Sequence, residues 1–169
     1  MQKKSFFLTF HNPKDFLAKM YLTLFFSGLF PKAPGTIGSL AAIPFAYYIA
    51  SFSHTTLLLS ALLLSVLGIK IIDHYEKQGL EHDSKEIVID ELAGIWVSIA
   101  MIGNTTLGIL LSFIFFRLFD IWKPSIIGRV DKNLKGGLGV MGDDLLAGFF
   151  AGILGLITLE FLTKINFNP

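Results

Sequence analysis

The chain has 169 residues, of which 53% are apolar and 16% charged, and its mean hydropathy is +0.64. This composition excludes an intrinsically disordered chain and disfavours an ordinary soluble domain. A net charge of +1 provides no basic face for nucleic acid, and the absence of cysteine excludes disulfides, thiolate zinc sites and cysteine nucleophiles.

The N-terminal part mixes apolar residues with charges. Lys14, Asp15 and Lys19 interrupt its apolar stretch, and no small-residue cleavage site follows, so the pattern is not typical of a secretory signal. We expect an interfacial or partly buried helix over Phe16–Phe30. After it, Thr36 is a candidate N-cap and Lys32 a candidate phosphate partner, with structural capping alone as the alternative.

A long uncharged run follows, because no Asp, Glu, Lys or Arg occurs from Ile37 to Ile69. At 1.5 Å per residue, one helix of this length would reach about 50 Å, whereas a bilayer core is about 30 Å thick. The run therefore predicts a hairpin of two near-spanning helices, Ile37–Phe52 and Thr55–Ile72, which turns at Ser51–His54.

Two more uncharged runs predict further helices. Leu92–Phe116 is broken by polar and glycine residues at Gly103–Gly108, which indicates either two short spanning helices or a shallower pair. Leu145–Leu159 contains small residues suited to close helix packing: Ala147, Gly148, Ala151, Gly152 and Gly155. The sequence thus predicts an all-α, multi-pass membrane helical bundle forming a single domain over 1–169.

Most charged residues lie in two segments, Lys70–Glu91 and Arg117–Asp144. If the hairpins form, both segments emerge on one side of the membrane. The N-terminal lysines emerge there too: Lys3, Lys4, Lys14, Lys19 and Lys32. An excess of Lys and Arg marks the cytoplasmic side, so this face is expected to be cytoplasmic.

Acidic residues stand at three predicted helix ends. Asp90 and Glu91 begin an apolar run, where simple dipole stabilisation is the alternative to chemistry. Asp120 is either an ion-pair partner of Arg117 or a metal ligand. Asp143 and Asp144 follow the glycine-rich stretch Lys135–Gly142, which either docks a phosphate at a helix N-terminus or is a loop with an N-cap.

These three acidic sites are predicted to meet at one water-facing rim of the bundle. Five carboxylates in one place repel one another unless a cation neutralises them. Oxygen ligands without cysteine favour Mg²⁺ or Mn²⁺.

Taken together and in order, short segments of the chain resemble the motifs of the phosphatidylglycerophosphatase A family: Pro34–Ser39, His82–Asp83, Ile87–Glu91, Phe116–Arg117, Phe119–Pro124, Gly136–Met141 and Asp143–Asp144. Members of that family are bacterial membrane enzymes that remove the terminal phosphate of phosphatidylglycerophosphate and require Mg²⁺. The resemblance implies an enzyme of the bacterial cytoplasmic (inner) membrane, with its active site facing the cytoplasm and a phospholipid as substrate.

Carried onto this chain, the resemblance implies one or two Mg²⁺ ions held by the expected catalytic residues Asp90, Glu91, Asp120, Asp143 and Asp144. The expected substrate-binding residues are Lys32, Thr36, Ser39, Arg117, Lys123, Gly136 and Gly137. His82 and Asp83 are expected to position a ligand or a water, with a solvated loop as the alternative.

Other functional classes stay open at this point. A small helical membrane transporter would place ionisable residues inside its spans, where this chain has none. A non-enzymatic membrane bundle would bind no metal. A headgroup phosphotransferase is disfavoured because the acids are adjacent rather than four apart, and a histidine phosphoenzyme because none of the four His follows Ser-Gly.

Overall fold

The computed structural model describes residues 7–82 and 84–166. Within them the elements are helical, and no β-strand occurs. The helices are α1 (Pro13–Leu22), α2 (Pro34–Phe52), α3 (His54–Glu76), α4 (Ile89–Ile102), α5 (Thr106–Trp122), α6 (Ser125–Asn133) and α7 (Gly137–Asn166), and a 3₁₀ turn covers Ser27–Leu29. The predicted all-α fold is confirmed.

The hairpin of two apolar helices is confirmed. Only Ser53 separates α2 from α3, and its hydroxyl accepts the Thr56 N–H at 3.1 Å, which caps α3. The start of α2 differs from the prediction. Ala33, with a left-handed φ of 49°, is the N-cap, so Thr36 lies in the first turn rather than at the cap.

Helix α4 forms the centre of the bundle. From Ile89 to Ile99 every residue except Glu91 is buried. Helix α7 makes the most extensive contact with it, and α3, α2 and α5 cover its other faces. A Cβ at Gly148 would clash with the Gly94 carbonyl, so α4 and α7 cross with their backbones in contact. The predicted close packing of the small residues in α7 is thereby confirmed.

Three helices are long and apolar enough to cross a membrane: α2, α3 and Gly137–Ile165 of α7. Helices α4 and α5 have 14 and 17 residues. At 1.5 Å per residue they are about 21 and 26 Å long, both shorter than a hydrocarbon core of about 30 Å. Neither helix is among the three of membrane length.

The predicted helix over Phe16–Phe30 is wrong in its second half. Helix α1 ends at Leu22, and three consecutive residues then adopt the left-handed conformation, with φ of 43° at Leu24, 53° at Phe25 and 67° at Phe26. The 3₁₀ turn follows directly. Left-handed residues cannot continue a right-handed α-helix, so this turn separates α1 from the 3₁₀ turn.

The last helix begins earlier than predicted. Glycine has a low helix propensity, so the sequence favours a loop before Asp143. In the structure α7 begins at Gly137, which lies directly against the Ile69 backbone of α3, an approach that leaves no room for a Cβ. Asp143 and Asp144 therefore lie inside α7, and the alternative in which one of them is an N-cap after a loop is wrong.

Candidate active site

Three carboxylates from two helices come together at one end of α4. Asp90 and Glu91 lie in the first turn of α4, and Asp144 lies about two turns into α7. One oxygen of each lies within 4.8 Å of the others. Gly94 and Gly148, the contact points of the two helices, each follow a carboxylate by four residues and so share its helix face. The predicted convergence of distant acids is confirmed for these three residues, the carboxylate trio.

Two members of the trio are buried and the third, Glu91, is partly exposed. Asp90 and Asp144 are 7% and 4% exposed, and Glu91 Oε2 has no hydrogen-bond partner among the described residues. Burial, followed by the charge of Glu91, holds the pKa of Asp90 well above its usual range. Burial is also the main cause that raises the pKa of Glu91 to about 8. Such neighbours cannot all ionise unless a cation joins them.

Two cations lie beside the trio, each paired with a further carboxylate. Arg117 Nη1 is 2.7 Å from Asp120 Oδ2 and 4.0 Å from Glu91 Oε1. Lys123 Nζ is 2.6 Å from Asp143 Oδ2. Asp120 therefore forms the ion pair that was one of its two predicted roles. Arg117 Nε is buried without a hydrogen-bond partner among the described residues, so the guanidinium has a donor for one more acceptor.

These groups line one cavity of about 260 Å³, which we call the carboxylate cavity. Its walls come from four separate segments of the chain: Ala33, Pro34, Gly35, Ser84, Lys85, Ile87, Asp90, Glu91, Arg117, Asp120, Lys123, Asp143 and Asp144. Gly35 lies directly against the trio, because a Cβ at this position would clash with Glu91 Oε1 and displace that carboxylate. The start of α2 thus closes the cavity over the trio.

The residues of this cavity suit a divalent cation beside an anion. Carboxylate oxygens are the ligands that Mg²⁺ prefers. Such an ion would provide the partner that the buried Glu91 Oε2 lacks among the described residues. Guanidinium and ammonium groups recognise phosphate oxygens. The cavity can therefore hold a phosphate group next to a metal ion, as metal-assisted phosphoryl transfer requires.

Comparison with known proteins agrees with this chemistry. The family model of phosphatidylglycerophosphatase A matches residues 20–159, a range that includes every residue of the cavity. The chain belongs to the phosphatidylglycerophosphatase A family. No solved structure matches the chain significantly.

Curated relatives cover most of the chain. Phosphatidylglycerophosphatase A of Escherichia coli is 40% identical over 136 residues, which are 79% of this chain and 78% of that protein. Phosphatidylglycerophosphatase A of Haemophilus influenzae is 36% identical over 146 residues, 77% and 81% of the two chains. A Bacteroides thetaiotaomicron protein, provisionally named a phosphatidylinositol-3-phosphatase, is 36% identical over 150 residues, 83% and 92%.

In this phosphatidylglycerophosphatase A family member, the cavity brings together half of the 14 site residues predicted from the sequence. They are Asp90, Glu91, Arg117, Asp120, Lys123, Asp143 and Asp144. Lys32, Thr36, Ser39 and His82 do not line it, nor do Gly136 and Gly137, and Asp83 lies outside the described residues.

The residues outside the cavity have other partners. The Ser39 hydroxyl donates to the Gly35 carbonyl at 2.9 Å, and His82 Nδ1 lies 2.7 Å from Glu76 Oε1. The Gly137 N–H donates to Asp73 Oδ1 at 2.7 Å. Since a carboxylate already occupies this helix N-terminus, the N–H predicted to bind phosphate is engaged elsewhere.

The sequence interpretation missed two polar residues of the cavity, Ser84 and Lys85. The Ser84 hydroxyl donates to Glu86 Oε2 at 2.7 Å. Lys85 is exposed and makes no ion pair with the described residues. The feature that could have identified Lys85 is its position in the same charged segment as Asp90, five residues before that carboxylate.

Proposed function

We propose that this chain is a Mg²⁺-dependent phosphatase that converts phosphatidylglycerophosphate to phosphatidylglycerol and phosphate. The observation that carries the proposal is the carboxylate trio beside Arg117 and Lys123 in one buried cavity. Two of the curated relatives that span most of the chain bear the name of this activity.

The trio is the proposed metal centre. Asp90, Glu91 and Asp144 would hold one Mg²⁺, which when bound would neutralise phosphate charge and lower the pKa of a water. Asp120 and Asp143 differ from the trio because each already faces a cation at 2.7 Å or less. We assign these two residues to positioning Arg117 and Lys123, which narrows the five-ligand set expected from the sequence.

Arg117 and Lys123 are the proposed phosphate clamp. Both lie in the cavity, and the unpartnered Arg117 Nε can donate to a nonbridging oxygen. Holding these oxygens stabilises the charge that develops as the bond from phosphorus to the glycerol oxygen breaks. Lys85, at the rim and without an ion-pair partner among the described residues, adds a third contact for the incoming dianion.

We place the cavity at the cytoplasmic surface of a bacterial inner membrane. Asp143 and Asp144 of the cavity fall within the candidate span Gly137–Ile165, but only about two turns from its start, whereas a transporter would carry its ionisable groups near the middle of its spans. The two charged segments that form much of its wall, Lys70–Glu91 and Arg117–Asp144, contain eight of the 14 Lys and Arg residues, as expected of cytoplasmic loops.

Phosphate release from phosphatidylglycerophosphate by the detergent-purified protein tests the proposal. We expect turnover with Mg²⁺, none with EDTA, and a loss of about 100-fold or more in Glu91→Gln and Asp144→Asn. Glu160→Gln is the matched control, because this carboxylate also lies on α7 but is exposed. Full activity in EDTA, or in both site variants, would refute the metal centre.

A headgroup panel tests the substrate. Phosphatidylinositol 3-phosphate is the informative competitor, because one relative carries the name of that activity. We expect a higher kcat/KM for phosphatidylglycerophosphate. The reverse order would retain the phosphatase and reject the proposed substrate.

A further inference from the structure

A second cavity, of about 270 Å³, lies on the other side of the first turn of α4. Its walls come from α1, the left-handed turn after it, α2, α3 and α4: Met20, Tyr21, Leu24, Phe25, Phe45, Leu64, Ile89, Leu92 and Trp96. We call it the apolar groove. Phe25 and Phe45 at its edge are 63% and 46% exposed, so the groove opens to the outside of the bundle.

The groove presents hydrocarbon only. Two of its side chains carry polar atoms, and both atoms are directed at backbone carbonyls. The Tyr21 hydroxyl donates to the Leu64 carbonyl, and Trp96 Nε1 donates to the Ala42 carbonyl at 3.0 Å. Because those hydrogen bonds are already made, a polar or charged occupant would find no partner here, whereas an alkyl chain requires none.

The edge of the groove is formed by strained backbone. Leu24, Phe25 and Phe26 all have positive φ, a conformation that L-residues other than glycine rarely adopt. This turn places Leu24 and Phe25 in the groove, and the Phe25 ring stacks on Phe45 of α2 at 6.1 Å. Strain of this kind persists where the surrounding structure holds it, and it is concentrated at ligand sites.

The apolar groove and the carboxylate cavity share the first turn of α4. Ile89 and Leu92 face the groove, while Asp90 and Glu91, which lie between them in the sequence, face the carboxylate cavity. The two cavities therefore lie on different sides of one helix, which with its side chains is about 10 Å across. The groove also borders α2 and α3, two of the three helices able to cross a membrane.

We propose that one acyl chain of the lipid substrate lies in the apolar groove while its phosphate occupies the carboxylate cavity. This inference rests on the proposed function and adds the residues that bind the hydrophobic part of the substrate. An acyl chain fits better than a peptide segment, because the groove offers no backbone or side-chain hydrogen-bond partner and opens beside the membrane-length helices.

Narrowing the groove tests the proposal. Leu64→Phe enlarges a side chain that lines it, and Leu63→Phe makes the same change one residue earlier, at a position 71% exposed. We expect Leu64→Phe to raise KM for dioleoyl phosphatidylglycerophosphate about tenfold and to leave kcat/KM for the deacylated headgroup phosphate unchanged. Leu63→Phe should alter neither. Equal losses on both substrates, or no loss on either, would overturn the proposal.

Phe25→Ala provides a second variant, at a position 63% exposed. Removing this edge should again raise KM for the acylated substrate only, with Phe30→Ala, 54% exposed and outside the groove, as its control. A KM that stays at the wild-type value in Phe25→Ala would count against the groove. If the wild-type protein releases no phosphate from either substrate, the proposed function itself fails.

Fluorescence tests occupancy without catalysis. The chain has two tryptophans, and Trp96 is 4% exposed, so lipid that only coats the bundle does not touch it. In a Trp122→Phe background, phosphatidylglycerol with brominated acyl chains should quench Trp96. Adding Leu64→Phe should reduce that quenching, whereas adding Leu63→Phe should not. Absence of quenching in the Trp122→Phe protein would contradict an acyl chain in the groove.

Discussion

Two buried charge clusters of this protein differ in their balance of acid and base. Asp15 accepts from Tyr75, from the His11 N–H at 3.0 Å and from Lys19 Nζ at 3.2 Å, and Lys19 also donates to the Thr9 carbonyl at 2.7 Å. The carboxylate trio instead brings three acids together, with one oxygen lacking any described partner.

The pKa directions express the same contrast. Burial pushes the pKa of Asp15 upward, but hydrogen bonds from Tyr75, His11 and Lys19 outweigh it and leave this pKa below its usual range. Burial and neighbouring acids raise the pKa values of Asp90 and Glu91. A cluster that satisfies its own charges stabilises the fold, whereas a cluster that does not is prepared for a ligand.

The largest expected effect is on protein stability, through the cluster in which Lys19 is paired with Asp15. Lys19 is 2% exposed, and Lys19→Met keeps its length but leaves Asp15 buried without its cation. We expect a loss of about 3 to 5 kcal/mol in unfolding free energy, measured by denaturant unfolding in detergent. Lys164→Met breaks an exposed pair of the same i,i+4 spacing with Glu160 and should cost about 0.5 kcal/mol or less. Similar losses in the two variants would refute the distinction.

The two clusters should respond to pH in opposite directions. Glu91 has a folded pKa of about 8 against an ordinary value of 4.5, so its contribution is complete below 4.5 and is lost as pH rises through 8. Asp15 has a lowered pKa, so its contribution is present above the ordinary value of 3.8 and is lost as pH falls below it. We expect the Tm of the EDTA-treated protein to fall on both sides of a maximum.

Variants assign the two limbs of that curve. Glu91→Gln should flatten the alkaline fall in Tm between pH 6 and 9 and leave the acid fall in place. Asp15→Asn should do the reverse, at a lower Tm throughout. A wild-type Tm that rises steadily from pH 6 to 9 without metal would contradict the raised pKa values.

Mg²⁺ should stabilise the folded protein by binding to the carboxylate trio, and not by binding to the cluster of Asp15 and Lys19. A ligand at 100 times its Kd adds about 2.7 kcal/mol, which raises the Tm of a chain of this size by about 5 °C or more. Thermal unfolding at pH 8 measures the shift, and Asp144→Asn should abolish it while Asp15→Asn retains it. A shift that survives in Asp144→Asn would place the ion elsewhere.

The sequence predicted those features that depend on one helix at a time. Uncharged runs marked the apolar helices, and acids at their ends marked the cavity, because a carboxylate interrupting an apolar pattern stands out. The sequence did not predict which buried carboxylates have a cation as partner and which do not. Lys19 was counted with the cytoplasmic lysines, but it is buried, and Asp15 one helical turn earlier and the Thr9 carbonyl accept from its ammonium.

Glycine was the other source of error. The stretch before Asp143 has the composition of a loop, yet it is helical because Gly137 can approach the α3 backbone. A propensity describes one residue, whereas this contact is set by two helices far apart in the sequence. For the same reason the sequence predicted phosphate binding at Gly136 and Gly137. It does not reveal that the Gly137 N–H donates to the Asp73 carboxylate, which is distant in the sequence.

The smallest expected effect separates two exposed lysines. The sequence favoured Lys32 as a phosphate partner, whereas the structure places Lys85 in the cavity wall and not Lys32. Lys85→Ala should raise KM about fivefold with little change in kcat, because a rim ammonium attracts the phosphate dianion equally in the bound substrate and in the transition state. Since rim charges are screened, the difference should shrink as KCl is raised from 50 to 500 mM. Lys32→Ala should leave KM unchanged, and a larger effect from Lys32→Ala would return the role to the residue that the sequence chose.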